Sequence, residues 1–159
     1  MTFADSLDIL YEALERQLLQ FAEAMPADKY NFRPSPGVRT FGEQLRHVGA
    51  VQWVVGSAMQ GSTPSVDVGD GDSGPSSMTA KDELLKYLRD SFQCIREAIR
   101  AINEHNVLEM IPNPFSPAKS KLSRLALAVA YACHACDHYG QLVVYLRLNG
   151  IVPPPSRPK

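Results

Sequence analysis

Apolar residues recur along this chain at intervals of three and four in four separate stretches. Phe3, Leu7, Leu10, Leu14, Leu18 and Phe21 step along one face of a helix. The pattern stops near Met25-Pro26, because proline disfavours helical backbone in the residue before it. Thr40-Phe41-Gly42-Glu43 has the form of a capping box, in which the threonine hydroxyl and the Glu43 carboxylate satisfy each other's free backbone N–H groups. A second helix is therefore expected from this box to about Met59, with Gln44, His47, Val51, Val54 and Ala58 along one stripe. Thr79-Ala80-Lys81-Asp82 is expected to cap a third helix, whose stripe is Leu84, Leu88, Phe92, Ile95, Ile99 and Ile102. Ser120 or Ser123 opens a fourth, which contains the run from Leu122 to about Asn149. Asn149-Gly150 is a left-handed terminator, and Pro153-Pro154-Pro155 follows it.

The stretches between these helices differ in kind. From Pro26 to Arg39, Pro34 and Pro36 stiffen the backbone and Tyr30 and Phe32 are candidate anchors. Residues 60–78 are rich in Ser, Gly, Pro and Asp and hold no Lys or Arg, which reads as a long flexible loop. Asp67, Asp70 and Asp72 lack the spacing and the closing glutamate of a calcium loop, so a solvated connection is expected. Pro112, Pro114 and Pro117 prevent a continuous helix over 106–118. No stretch reads as a strand and no repeat is visible. The expected fold is all-α, a four-helix bundle in one domain over 1–159, with a proline-rich tail at 150–159. The length of the 60–78 connection permits a crossover.

Composition narrows the function classes. The chain has 159 residues, 45% of them hydrophobic and 21% charged, enough for one well-filled core. A formal net charge of -1 gives no electrostatic footprint for nucleic acid. The longest apolar run, Leu125 to Ala130, is far too short to span a bilayer. The first residues lack a basic start and an apolar core, so no signal peptide is expected. Three cysteines, two of them three apart on one helix, do not suit a disulfide scaffold, and a cytoplasmic location is expected.

The candidate chemistry lies in the fourth helix. His134 and His138, four residues apart, stand above one another on one helical face with their Cβ atoms about 6 Å apart. That spacing suits one shared ion, although helical histidines so spaced also occur on solvated faces. His47, in the interior of a different helix, makes a third imidazole available. Imidazole nitrogens suit zinc, nickel, copper or iron, and three protein ligands leave coordination positions open. His105, beside Glu104, reads as a surface residue. Cys133 and Cys136 point about 100° and 200° away from His134 on a helix of 3.6 residues per turn, and are expected to be small apolar core residues rather than ligands. Gln141, three residues after His138, and Gln44, three before His47, are candidates to face a substrate, and Asp137 is a candidate to orient a ligand. Arg33 and Arg39, just before the second helix, are candidates to hold an anionic substrate at the mouth. Trp53 is expected in the core. No Ser-His-Asp arrangement or glycine-rich phosphate loop is present, and no residue stands out as a general acid or base.

Thr40-Phe41-Gly42-Glu43-Gln44-Leu45-Arg46-His47-Val48, followed by His134-x-x-x-His138-x-Gly140-Gln141-Leu142, resembles the DinB superfamily (also called DinB/YfiT-like). Tyr30-Asn31-Phe32-Arg33-Pro34 and the stretch from Val144 to Pro154 extend the resemblance to essentially the whole chain. It implies a bundle of unusual connection order, often a homodimer, with a divalent metal, nickel or zinc, on three histidines that match His47, His134 and His138. It also implies metal-dependent transfer to or from a low-molecular-weight thiol such as bacillithiol or mycothiol, with isomerases and proposed hydrolases among related members. The function expected is therefore a thiol S-transferase acting on a small-molecule substrate. The alternatives are a metal-dependent hydrolase and a non-enzymatic dimeric stress-response or binding module with a structural metal.

Overall fold

The computed structural model describes residues 1–116 and 120–158. Four long helices form among these residues: α1 (Phe3–Ala24), α2 (Phe41–Met59), α3 (Lys81–Arg100) and α4 (Arg124–Leu148). The capping box at Thr40 is formed, with Thr40 N–H donating to Glu43 Oε2 at 2.6 Å and Glu43 N–H to Thr40 Oγ1 at 3.2 Å. A second box, not anticipated from the sequence, links Thr2 and Asp5 at the start of α1. The fourth helix is capped by Ser123, whose hydroxyl accepts from Ala126 N–H. Thr79 does not cap α3. Its N-cap is Ala80, which offers no side-chain acceptor, and Asp82 and Glu83 in the first turn face the positive end of the dipole instead. At the end of α4, Gly150 takes φ 73°, and Ile151 N–H and Gly150 N–H close back on the Leu146 and Arg147 carbonyls.

Helix α1 packs on α3 and α4, and α2 packs on the same two, so α1 and α2 lie diagonally across the bundle. The diagonal is crossed by the connections after α1 and after α3. The long 60–78 connection, whose length had suggested the crossover, joins the closely packed neighbours α2 and α3. Two glycines on α2 allow that packing. A Cβ on Gly56 would lie 2.9 Å from both the Ile95 backbone nitrogen and Cys94 Sγ, and one on Gly49 would lie 2.7 Å from the Tyr87 ring. At Gly56 the obstacle is the α3 backbone, which no side-chain rotation can clear. Gly56→Ala should therefore lower stability by roughly 1–3 kcal/mol through overpacking, read as a lower urea midpoint. An unchanged midpoint would mean that α3 is free to shift.

Leu18, Phe21, Phe41, Phe92, Ile95, Ile99, Leu142 and Leu146 fill the centre. Buried tyrosines tie elements together through their hydroxyls: Tyr11 donates to the Ala128 carbonyl at 2.8 Å and Tyr30 to the Ala22 carbonyl at 2.7 Å. Outside the core, Arg96 on α3 bridges Asp8, Glu12 and Glu15 on α1.

Between α3 and α4 the chain forms a small antiparallel pair, β1 (Met110–Pro112) and β2 (Lys121–Ser123), with Ile111 opposite Leu122. Strands of three residues are too short to show a period of two, so no pattern in the chain marked them. Pro117, counted above among the helix breakers, lies outside the described residues. The tail folds back, with Pro153 buried and a short turn over Pro154–Ser156 against α1. Among the described residues no helix is long and apolar enough to cross a membrane.

The 60–78 connection is mostly exposed, as its composition suggested, and departs from a solvated loop only where it is tied down on α2 and α3. Gly74 and Pro75 are buried. Arg46 of α2 reaches across to donate to the carbonyls of Ser73, Ser76 and Met78 at 3.1–3.2 Å, and the Tyr87 hydroxyl donates to the Asp67 carbonyl. The arginine that fastens the segment lies on another element, so the segment's own composition could not reveal it. Cys133 and Cys136 depart as well. Both are exposed, while Cys94 is the buried cysteine. The outer face of α4 carries Val129, Val144 and Leu148 beside them, so apolar character on this helix does not mark burial.

Candidate metal centre

His47 reaches the bundle interior from the second turn of α2, and His134 and His138 reach it from consecutive turns of α4. The spacing that places two imidazoles on one face of α4 needs only local helix geometry. The meeting with His47 needs α2 and α4 to be neighbours. Nε2 of His134 lies 3.1 Å from Nε2 of His47 and 3.0 Å from Nε2 of His138. The three donor atoms all lie within 4.8 Å of one another. Donors held about 2.1 Å from one ion stand about 3.0 Å apart at right angles and about 3.4 Å apart in a tetrahedron, so the spacing suits a shared cation.

The protonation pattern also suits a cation. His47 Nδ1 lies 2.8 Å from the Asp72 carbonyl oxygen, which can only accept, so Nδ1 carries the proton and Nε2 presents its lone pair. His134 Nε2 touches two nitrogens, and a single N–H can serve only one of these contacts. One lone pair is then left facing another nitrogen, whereas a cation at the centre satisfies all three. Nδ1 of His134 and of His138 is buried without a protein partner among the described residues. Asp72 is the only residue that orients a ligand ring by hydrogen bond there, and sequence reasoning passed it over as part of an acidic loop.

Burial is the largest influence on all three imidazoles and lowers their pKa values, to about 4 for His134 and about 3 for His138. Mutual repulsion adds to the effect at His134 and His138, and the positive charge of Arg39 acts on all three rings. Neutral imidazole is the form that binds metal, so the cluster needs no deprotonation at neutral pH. The same shifts set the acid stability of the metal-free chain. The unfolded chain takes up protons near pH 6.5, whereas folded His134 and His138 refuse them until about pH 4 and 3. Stability is then fully present above about pH 6.5 and falls as pH drops, by about 1.4 kcal/mol per pH unit for each imidazole that stays neutral. Asp8, held below the ordinary carboxylate range by Arg96 and Arg100, contributes only in a more acidic window. Urea midpoints of chelator-treated protein at pH 7.5 and 5 should differ accordingly. Equal midpoints would show that the imidazoles titrate freely.

Beside the cluster, the Gln44 amide donates to Gln141 Oε1, and the Gln141 amide donates to Asp137 Oδ2 at 3.1 Å. These three form a chain linking α2 to α4, with Gln44 buried and Asp137 exposed. Asp137 makes no hydrogen bond to a histidine among the described residues. His105 is exposed, paired only with Glu104, and Trp53, expected in the core, is instead half-buried and lines a surface pocket with Ser57 and Gln60.

The family model for the DinB superfamily matches residues 10–142. The chain belongs to the DinB superfamily. Among solved structures, a conserved protein from Enterococcus faecalis is 18% identical and superposes with a TM-score of 0.74, covering 93% of this chain and 97% of that one. A DinB-like protein from Bacillus subtilis is 15% identical at a TM-score of 0.71, covering 91% and 92%. A DinB-like protein from Bacillus cereus is 16% identical at 0.70, covering 96% and 93%. At these identities the likeness is one of fold. No curated protein matches the sequence. The three-histidine group of this DinB-superfamily chain could hold a metal ion.

Proposed function

We propose that the chain is a divalent-metal-dependent enzyme of thiol S-transferase type, with nickel or zinc held by His47, His134 and His138. The observation that carries this reading is the convergence of three neutral imidazoles from two helices on one point. Such an ion, when bound, lowers the pKa of a thiol and so supplies a nucleophile near neutral pH. The chain's own contribution is to keep the imidazoles unprotonated by burial and to fix the His47 ring through the Asp72 carbonyl. The Gln44–Gln141 bond ties α2 to α4, the two helices that carry the histidines. Three protein ligands leave positions for a small thiol such as bacillithiol or mycothiol and for a second substrate. A second copy of the chain is a proposed partner, and the exposed Val129, Val144 and Leu148 on α4 support a self-association face.

Elemental analysis of protein purified without a histidine tag, together with turnover assays with and without added thiol, tests the reading. One equivalent of divalent metal per chain and strict thiol dependence are expected. Turnover without thiol would point to a hydrolase instead. A fourth protein ligand closing the coordination sphere would point to a structural metal in a non-enzymatic module.

A further inference from the structure

Resting on that metal reading, the geometry points to an anion-binding subsite beside the three histidines, in which Arg39 receives the carboxylate of a small-molecule substrate whose other end reaches the metal. A cavity of about 270 Å³ opens between the 33–39 turn and the 60–78 connection, lined by Arg33, Arg39, Glu43, Arg46 and Ser73. Three arginines and one glutamate line it, with the Asp72 carboxylate beside Arg39, in a chain whose net charge is -1.

The three arginines are not equivalent. Arg33 is committed to Glu43 at 2.9 Å and to the Val38 carbonyl. Arg46 donates from Nε and Nη1 to three backbone carbonyls, which fix its guanidinium against the 60–78 connection. Arg39 donates no side-chain hydrogen bond among the described residues, and its nearest acid is Asp72 Oδ1 at 3.9 Å. Its backbone, however, is fixed, because the Tyr145 hydroxyl donates to the Arg39 carbonyl. Asp72 also links this group to the metal cluster, its other carboxylate oxygen lying 3.5 Å from His47 Nδ1. A free guanidinium presents a planar fork of donors that matches a carboxylate.

The test uses the full chain loaded with cobalt(II), whose visible absorption reports on ligands entering its coordination sphere. Cobalt content is measured first, then the protein is titrated with mercaptosuccinate and with neutral 2-mercaptoethanol. Wild type should bind the dicarboxylate thiol about ten- to a hundredfold more tightly, the worth of a charge-assisted hydrogen bond. Arg39→Gln should abolish that preference without changing cobalt content or 2-mercaptoethanol affinity, and Arg39→Lys should keep part of it. Equal affinity for the two thiols in wild type, or a preference that survives Arg39→Gln, overturns the subsite and leaves the metal reading intact. A chain that takes up no cobalt overturns both.

Discussion

His138→Ala should leave the bundle folded and strip it of nearly all tightly held divalent metal. Structural zinc sites bind with about 10–16 kcal/mol shared among four ligands. One ligand is then worth about 3 kcal/mol or more, a loss of roughly a hundred- to a thousandfold in affinity. His138 is 5% exposed and its Nε2 lies 3.0 Å from that of His134, so removing it leaves two donors and a gap that no neighbouring carboxylate fills. Metal content after passage over a weak chelator reads the effect, with circular dichroism confirming the helices. A second signature separates loss of a ligand from general damage. Without the imidazole that resists protonation to about pH 3, the metal-free variant should lose stability less steeply than wild type between pH 6.5 and 4.5. Retention of one equivalent of metal at unchanged affinity would remove His138 from the site.

The second large effect is expected at Gly74, which touches neither metal nor substrate. Its φ is 72°, and a Cβ there would lie 2.3 Å from Arg46 Cγ and 2.9 Å from the Arg46 carbonyl oxygen. The arginine side chain can move, but the α2 carbonyl cannot. Gly74→Ala must therefore lift the segment off α2, and with it the Asp72 carbonyl that holds His47 Nδ1 at 2.8 Å. Losing a hydrogen bond that orients a ligand costs about 10–100-fold in metal affinity, and the displaced backbone costs roughly 1–3 kcal/mol of stability. Gly61→Ala is the control. It has the same φ of 72° in the same connection with nothing within 4 Å, so it carries the backbone strain without the displacement. It should lose about 1 kcal/mol and keep its metal affinity. Equal metal affinity in both variants would show that the Asp72 contact does not matter to the site.

The helices and most of their boundaries, the α3 cap excepted, were legible in the sequence because they depend on neighbours three and four residues away. The stripes of α1 and α3, the Thr40–Glu43 box and the Asn149-Gly150 stop each carry their signal within a few residues. The imidazole pair on α4 was legible for the same reason. Convergence with His47 was suggested by its position inside a helix, and the family resemblance pointed to the same three residues.

What only the tertiary structure decided was everything that joins residues far apart in the chain. Diagonal placement of α1 and α2 follows from which faces fit together, and Gly56 reads as a close-approach site only once α3 lies on it. Cys133 and Cys136 were expected inside, because small apolar residues on a largely apolar helix look like core. The helix turns that face outward for want of a partner. Residues 60–78 read as solvated because Asp, Ser and Gly dominate them. Their anchors, Arg46, His47 and Tyr87, lie on α2 and α3. Arg33 and Arg39 looked alike in sequence, and only the placement of Glu43 and Asp72 separates the guanidinium hydrogen-bonded to a carboxylate from the one held by a looser 3.9 Å ion pair. Local periodicity and capping determined the elements. Long-range packing determined which polar groups found partners, and so which remained available for chemistry.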